Sequence, residues 1–266
     1  MDAGKDRIIP HERPSVGVVI GTYGSPCYVH LGLELLRRNI GDVPVLVHDD
    51  ASFETAPAEY DQVRRVCERY GAEFSCNPQS FGHMKGDFTA FQAGWEWAAR
   101  VRSFDLLVKF SRRFIPLVNW LDDLRALAYV TQYATYNNFD ACHSLGFRSE
   151  CVAMHVDSWL DAGILAEARN LVSQDTNWFV EVIIHNLARM VHRRNCRANQ
   201  LYEKTHPPIE DNLAFAVWPF MGGSRCARSS DYLWRDVYAP AEYYEKAKSL
   251  GIGEYDLGCF TEFKQH

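Results

Sequence analysis

"FDLLVKFSRRFIPLVNW", residues 104–120, decides how this chain is read. Leu106, Leu107 and Val108 form an apolar run without alternation, the mark of a strand buried on both faces. Lys109 lies inside that run. An ammonium there requires a partner or a ligand, because burying it unpaired is costly. Ser111, Arg112 and Arg113 follow, then Pro116 and the helical pattern of "WLDDLRALAYVTQYA". The strand thus runs into a cluster of cations.

The segments before it alternate in the same style. "VGVVIGTYG" (16–24) and "DVPVLVHDDAS" (42–52) read as buried strands, "AEFSCN" (72–77) as a short third one, and "DLLVKF" as the fourth. Between them lie helices. "YVHLGLELLRRNI" carries apolar residues at Val29, Leu33, Leu36 and Ile40, and "AEYDQVRRVCERYG" ends at Gly71. "DFTAFQAGWEWAARV" is the third helix. Strand–helix alternation with short connections predicts an α/β fold, with a mostly parallel, doubly wound central sheet flanked by helices. Ligands of such sheets bind beyond the carboxyl ends of the strands. Here those ends are "GTYGSP", "HDDAS", "NPQSFGHMKGD" and "KFSRRF".

The second half is less regular. "DACHSLGFRSECVAMHV" has strand character, and "TNWFVEVIIHNLARMVHRR" places Phe179, Ile183, Leu187, Met190 and Val191 on one helical face. From about residue 200 the chain is rich in aromatics and loops. With 266 residues it suits one large domain, and 47% hydrophobic with 23% charged residues is ordinary for a globular protein. A net charge of −6 disfavours nucleic-acid or anionic-membrane binding through a broad basic face. Eight cysteines without a CxxC pair argue against a zinc ribbon and read as reduced core thiols. The polar start "MDAGKDRIIPHERP" has no signal-peptide pattern, and no apolar run is long enough to span a membrane. The expectation is a cytoplasmic protein.

Four motifs in order carry a resemblance: "VVIGTYGSP", "VLVHDDAS", "FGHMKGDFTAFQAGWEWAA", and the strand followed by proline and "NWLDDL". Over residues 15–190 the chain resembles nucleotide-sugar glycosyltransferases of the GT-A (Rossmann-like) fold, similar to family-2-type enzymes. One departure matters: where that family has Asp-x-Asp, this chain has "VKFSRRF". It looks like the Lys-x-Ser-x-Arg signature of a subset without the metal motif. The resemblance implies a single domain, with a nucleotide-sugar half (15–130), an acceptor half (131–200) and a C-terminal aromatic-rich extension or lid (201–266). It implies transfer of a hexosyl or related sugar from a UDP-, GDP- or similar nucleoside diphosphate sugar. The acceptor is a saccharide or other hydroxyl, as in polysaccharide biosynthesis, and no metal or other cofactor is expected. The alternative is a non-catalytic nucleotide-sugar or glycan-binding module that kept the fold.

Chemistry supplies a role for the cations. A departing diphosphate gains negative charge, which fixed Lys and Arg donors stabilise as a divalent cation would. Lys109 and Arg113, with Ser111 as hydroxyl donor, are expected there, and Arg112 as a second partner. Thr22 and Tyr23 are expected against the base or ribose, together with one of Asp49 and Asp50, Asp49 being favoured. Gly82, His83 and Lys85 form a loop whose glycines let backbone approach phosphate or sugar. Glu181 is the expected base for the acceptor hydroxyl in an inverting transfer, with Asp175 as runner-up. Arg148, His155 and Trp159 suit the acceptor side. Arg225, with Arg228 and Tyr232, suits a lid over the diphosphate. His185 and His192 lack a third ligand and read as structural.

Overall fold

The computed structural model describes residues 14–128, 149–174, 179–198, 232–234 and 240–252. Among the described residues five strands form the main sheet, in the order β3-β2-β1-β4-β6. They are β1 (Val16–Thr22), β2 (Val45–Asp49), β3 (Glu73–Cys76), β4 (Leu106–Ser111) and β6 (Cys151–His155). The first four run parallel, and β6 is antiparallel to β4. A small antiparallel pair, β5 (Phe114–Pro116) with β7 (Tyr232–Trp234), stands beside it. This is the mixed α/β, mostly parallel architecture that the strand–helix alternation predicts.

The sheet is buried on both sides because its strands alternate between two apolar cores. Val16, Val18, Ile20, Val108 and Phe110 face α1 (Pro26–Asn39) and α2 (Pro57–Tyr70). Val19, Leu46, Leu107, Val152 and Met154 face α3 (Gly82–Val101), α5 (Val156–Asp161), α6 (Ile164–Ser173) and α7 (Val180–Ala198). Short α4 (Leu121–Ala128) closes the first core. The second face of α1, through Tyr28, Leu31 and Leu35, packs on Ile115, Leu233 and α8 (Pro240–Ser249).

Register brings the strand ends level. Thr22 pairs with Asp49, Asp49 with Cys76, and Gly21 with Ser111. Backbone bonds extend the ladder one residue further: Asp50 N to Thr22 O at 3.0 Å, Asn77 N to Asp49 O at 2.9 Å, and Arg112 N to Gly21 O at 3.0 Å. All four carboxyl ends therefore form one shelf. The winding reverses between β1 and β4, which makes that crevice the topological switch point where such sheets take ligands.

Several elements differ from the sequence reading. "FGHMKGD" is the first turn and a half of α3, not a loop. Asp50 makes this possible by accepting from Phe81 N and Gly82 N, donors otherwise orphaned at a helix start. The helix "TNWFVEV…" starts at Val180, and Phe179 is 57% exposed outside its apolar face. β5 is a short strand that Pro116 had suggested was only a helix approach. Cys67, Cys76 and Cys151 are free, but Cys27 is disulfide-bonded, so the cysteines are not all reduced thiols. Cys27 sits in the first turn of α1. Among the described residues no helix is long and apolar enough to cross a membrane.

α3 lies unusually close to the sheet. A Cβ on Gly94 would stand 2.9 Å from Val19 Cγ2 and 3.1 Å from Leu107 Cδ2, whereas one on Gly32 of α1 would meet nothing within 4 Å. Gly94→Val is expected to destabilise the fold by about 1–3 kcal/mol through overpacking. Gly32→Ala is expected to stabilise it by about 0.5–1 kcal/mol through helix propensity. Urea unfolding of both variants checks this, and equal effects would contradict the packing.

Candidate functional site

The shelf is organised by two buried aspartates, each serving the chain itself. Asp49 is fully buried at the end of β2. Its carboxylate accepts from Gly24 N at 2.8 Å, Ser52 N at 2.6 Å and Ser52 Oγ at 3.0 Å. It thereby ties the turn after β1 to the turn after β2. Asp50 accepts from Asn77 Nδ2 at 2.7 Å, Ser80 Oγ at 3.1 Å and the two amides that open α3. Burial pushes its carboxyl up, and these hydrogen bonds pull it part of the way back. A Cβ on Gly86 would collide with this carboxylate, so α3 carries a glycine there. One of these acids, Asp49 by preference, is expected above as a base or ribose ligand. The structure gives both scaffold bonds that take up most of their acceptor capacity.

Behind Asp50 runs a polar network under α3. Asn77 Nδ2 donates to Asp50 Oδ1 and to Thr89 Oγ1, both at 2.7 Å, which fixes its amide orientation. Its Oδ1 therefore accepts from His48 Nε2 at 3.2 Å, and His48 Nδ1 accepts from Ser75 Oγ at 2.9 Å. The ring is neutral in this arrangement, and burial pushes its pKa down to about 4. His48 did not stand out in the sequence, where it is one polar residue in the run "VLVHDD".

Thr22 Oγ1 donates to Gly24 O at 2.5 Å and so closes its own turn. Half-buried Tyr23 shares a hydrogen bond with Thr55 Oγ1 at 2.6 Å. Lys85 Nζ donates to Gln174 O at 2.7 Å, which ties α3 to the end of α6. Gly82 opens α3 with φ 76° and an exposed backbone.

At the end of β4 the structure separates the cations. Lys109 is 0% exposed. It points to the α3 side, where Nζ forms a short ion pair with Asp87 and donates to Ser149 O at 3.0 Å. It also stands 4.6 Å from the centre of the Phe91 ring. Its ammonium is thus enclosed by protein and is not displayed on the shelf. Ser149 in turn binds Glu181 at the start of α7: Ser149 N and Oγ donate to Glu181 Oε1 at 3.2 and 3.1 Å. Asp87, Lys109, Ser149 and Glu181 form one continuous polar chain at the crevice beside β1. A Cβ on Gly21 would stand 3.6 Å from Lys109 Cε and 3.8 Å from Asp87 Oδ1. Asp87 was missed in the sequence. Its signal was the acid four residues before Phe91 in "KGDFTAF", one helical turn above the ring that faces Lys109.

Arg112 and Arg113 are half-buried and form the turn after β4. Their backbone is fixed by Arg112 N to Gly21 O, by Ser111 N to Glu150 O at 2.8 Å, and by Tyr243 Oη donating to Arg113 O at 2.5 Å. The Ser111 hydroxyl is buried and unpartnered among the described residues. Hydroxyl and guanidinium groups at the end of β4 do not suit a divalent cation, which takes carboxylate and carbonyl oxygens. Among the described residues no group of three His, Cys, Asp or Glu side chains is placed to hold a metal.

Two acceptor-side expectations need correction. His155 ends the antiparallel β6 opposite Leu106, at the far end of the sheet from the shelf. Trp159 is fully buried and stacks on Trp95 with centroids 5.4 Å apart. The place of His155 follows from β6 running antiparallel, which the sequence pattern does not reveal, and that of Trp159 from α5 packing on α3. Arg148, Asp175 and Arg225, and the side chains of His83 and His192, lie outside the described residues.

No protein-family model matches the chain, and no curated protein sequence does. Among solved structures it is similar to a mannosyltransferase from Pyrobaculum calidifontis in complex with GDP-mannose and Mn2+, at 16% identity and TM-score 0.41, over 58% of this chain and 48% of that one. It is similar to the apo glycosyltransferase GlyE of Streptococcus pneumoniae TIGR4 at 14% identity and TM-score 0.44, over 75% and 46%. A glycosyltransferase involved in glycosylating the major capsid of PBCV-1 aligns at 12% identity and TM-score 0.42, over 89% and 100%. The chain spans about half the length of the first two. Likeness at this level does not assign an activity.

The His48 network generates a pH prediction. The unfolded histidine binds a proton below about 6.5, and the folded one only below about 4. Between those values the unfolded state holds more protons, so stability is complete above pH 6.5 and falls as pH drops toward 4. The loss attributable to His48 is on the order of 3 kcal/mol. Urea unfolding at pH 7 and 4.5 checks it: the drop is expected to shrink in His48→Gln.

Proposed function

We propose that this protein transfers a sugar from a nucleoside diphosphate donor to a hydroxyl acceptor, without an Asp-x-Asp-bound metal and with inversion. The observation that carries this reading is the placement of Glu181. Its carboxylate is held at the carboxyl shelf of a doubly wound sheet, beside the switch-point crevice, near a turn that bears two arginines. The motif order of the sequence adds the resemblance to GT-A enzymes.

The chemistry balances with groups present in the chain. Glu181 takes the acceptor proton through Oε2, since Oε1 is occupied by Ser149. The acceptor oxygen attacks the anomeric carbon from the face opposite the diphosphate. The bond from that carbon to the phosphate oxygen breaks, and the nucleoside diphosphate leaves with the electron pair. Arg112 and Arg113 bind the growing charge, with the Ser111 hydroxyl as a donor. Lys109 does not touch the phosphates in this scheme, because its ammonium is enclosed with Asp87 and Ser149. The rigid shelf built by Asp49 and Asp50 positions Thr22, Tyr23 and the start of α3 around the donor.

Glu181→Gln is expected to lower transfer by about a hundredfold or more while nucleotide binding persists. Arg113→Ala is expected to weaken binding of the preferred nucleoside diphosphate by about tenfold. Calorimetry with UDP, GDP, CDP and dTDP, in EDTA and again with magnesium or manganese, is the measurement. Binding that appears only with metal would refute the metal-free scheme. No binding of any of the four would refute the donor class.

A further inference from the structure

Asp87 and Glu181 stand on different helices, α3 and α7, yet two groups join them. Lys109 links Asp87 to the Ser149 carbonyl, and the amide and hydroxyl of Ser149 hold Glu181. Each link depends on the one before. Lys109 is completely buried, and an ammonium in that position is tolerated only with a charge partner. Asp87, with its side chain 23% exposed, is the carboxylate that meets it. Ser149 is buried at the foot of β6, so its carbonyl needs a donor, which Lys109 supplies. With the carbonyl fixed, the peptide and side chain of Ser149 aim at Glu181.

We propose that Asp87 is a positioning residue for Glu181, acting through Lys109 and Ser149. The proposal rests on the transfer reading above and adds a residue to it. Asp87 does not exchange a proton with substrate. It keeps Lys109 in place, and this fixes which oxygen of Glu181 is occupied and which faces the acceptor. Because Asp87 rises from the first turns of α3, whose amides are anchored by Asp50 at the donor shelf, the relay also ties the placement of the base to the donor-side helix.

The test uses Asp87→Asn, Asp87→Glu and Glu181→Gln in the full chain. Asp87→Asn is expected to lower kcat by about tenfold or more, with donor KM changed by less than about threefold. Asp87→Glu is expected to recover part of the loss. In a Glu181→Gln background, Asp87→Asn is expected to add almost nothing, since both changes remove the same action. A raised donor KM at unchanged kcat would show Asp87 binding the donor and would overturn the relay, as would fully additive losses. A crystal structure of Asp87→Asn reads the relay without activity: the Ser149–Glu181 bonds are expected to be lost, and their retention would overturn the proposal. If the wild type transfers no sugar from any donor, the transfer reading fails, and that structure alone decides the relay. If Asp87→Asn does not fold, Ser149→Ala is the second variant, since it deletes one donor to Glu181 and spares the ion pair. It is expected to lower kcat several-fold at constant donor KM, and an unchanged kcat would count against the relay.

Discussion

The architecture of this site depends on one constraint, the burial of the Lys109 ammonium in the middle of a sheet. A lysine can occupy such a position only if its charge is met on every side. The chain meets it with a carboxylate from α3, a carbonyl from the segment before β6 and the face of the Phe91 ring. Two of these partners stand on α3 and the third on the segment before β6. The requirement that Lys109 be satisfied therefore fixes α3, β4 and β6 against one another at the carboxyl end of the sheet. Glu181 sits one hydrogen bond beyond. An apolar residue at position 109 would pack more cheaply, but it would leave the Ser149 carbonyl and the Asp87 carboxylate unpaired.

The same logic explains why the shelf is built from aspartates. Turns that leave parallel strands expose backbone amides, and the start of α3 exposes more of them. Asp49 collects amides from two turns, and Asp50 collects those of α3 together with two side chains. Carboxylates suit this because an ionised group accepts several bonds and because negative charge is favoured at a helix N-terminus. Their burial beside His48, held neutral by its own pair of hydrogen bonds, leaves a rigid floor beneath the crevice.

Much of this was legible in the sequence. Unbroken apolar runs identified the parallel strands, and the 3.6-residue spacing identified the helices between them. The mid-strand lysine announced that a partner had to exist. What the sequence withheld was direction and reach. The run "CVAMH" reads the same whether parallel or antiparallel to β4, yet direction decides whether His155 lies at the shelf or at the opposite edge. Glycines in "FGHMKGD" suggest a loop, but a carboxylate 32 residues earlier caps the segment into a helix. The acids after β2 look like ligands for a substrate, since nothing local shows that the amides they bind come from Gly24, Phe81 and Gly82. The partner of Lys109 lay 22 residues away, in a motif read for its glycines.

Separation of the two kinds of cation follows from their chemistry. Lysine is a compact point charge that fits between three partners in a closed space. Arginine presents a planar fork suited to phosphate oxygens and carries less hydration to strip. The chain encloses the former and leaves the latter half-exposed on a turn. That turn is held by backbone bonds to β1, to the segment before β6 and to Tyr243 of α8, which is itself edge-on to Tyr28 with centroids 4.9 Å apart. A turn held on three sides has little backbone entropy left to lose, while its arginine side chains keep their rotamer freedom. Helix α8 therefore braces this turn through Tyr243 without placing a charge in it. Its role is to hold still the short piece of backbone from which the arginines project.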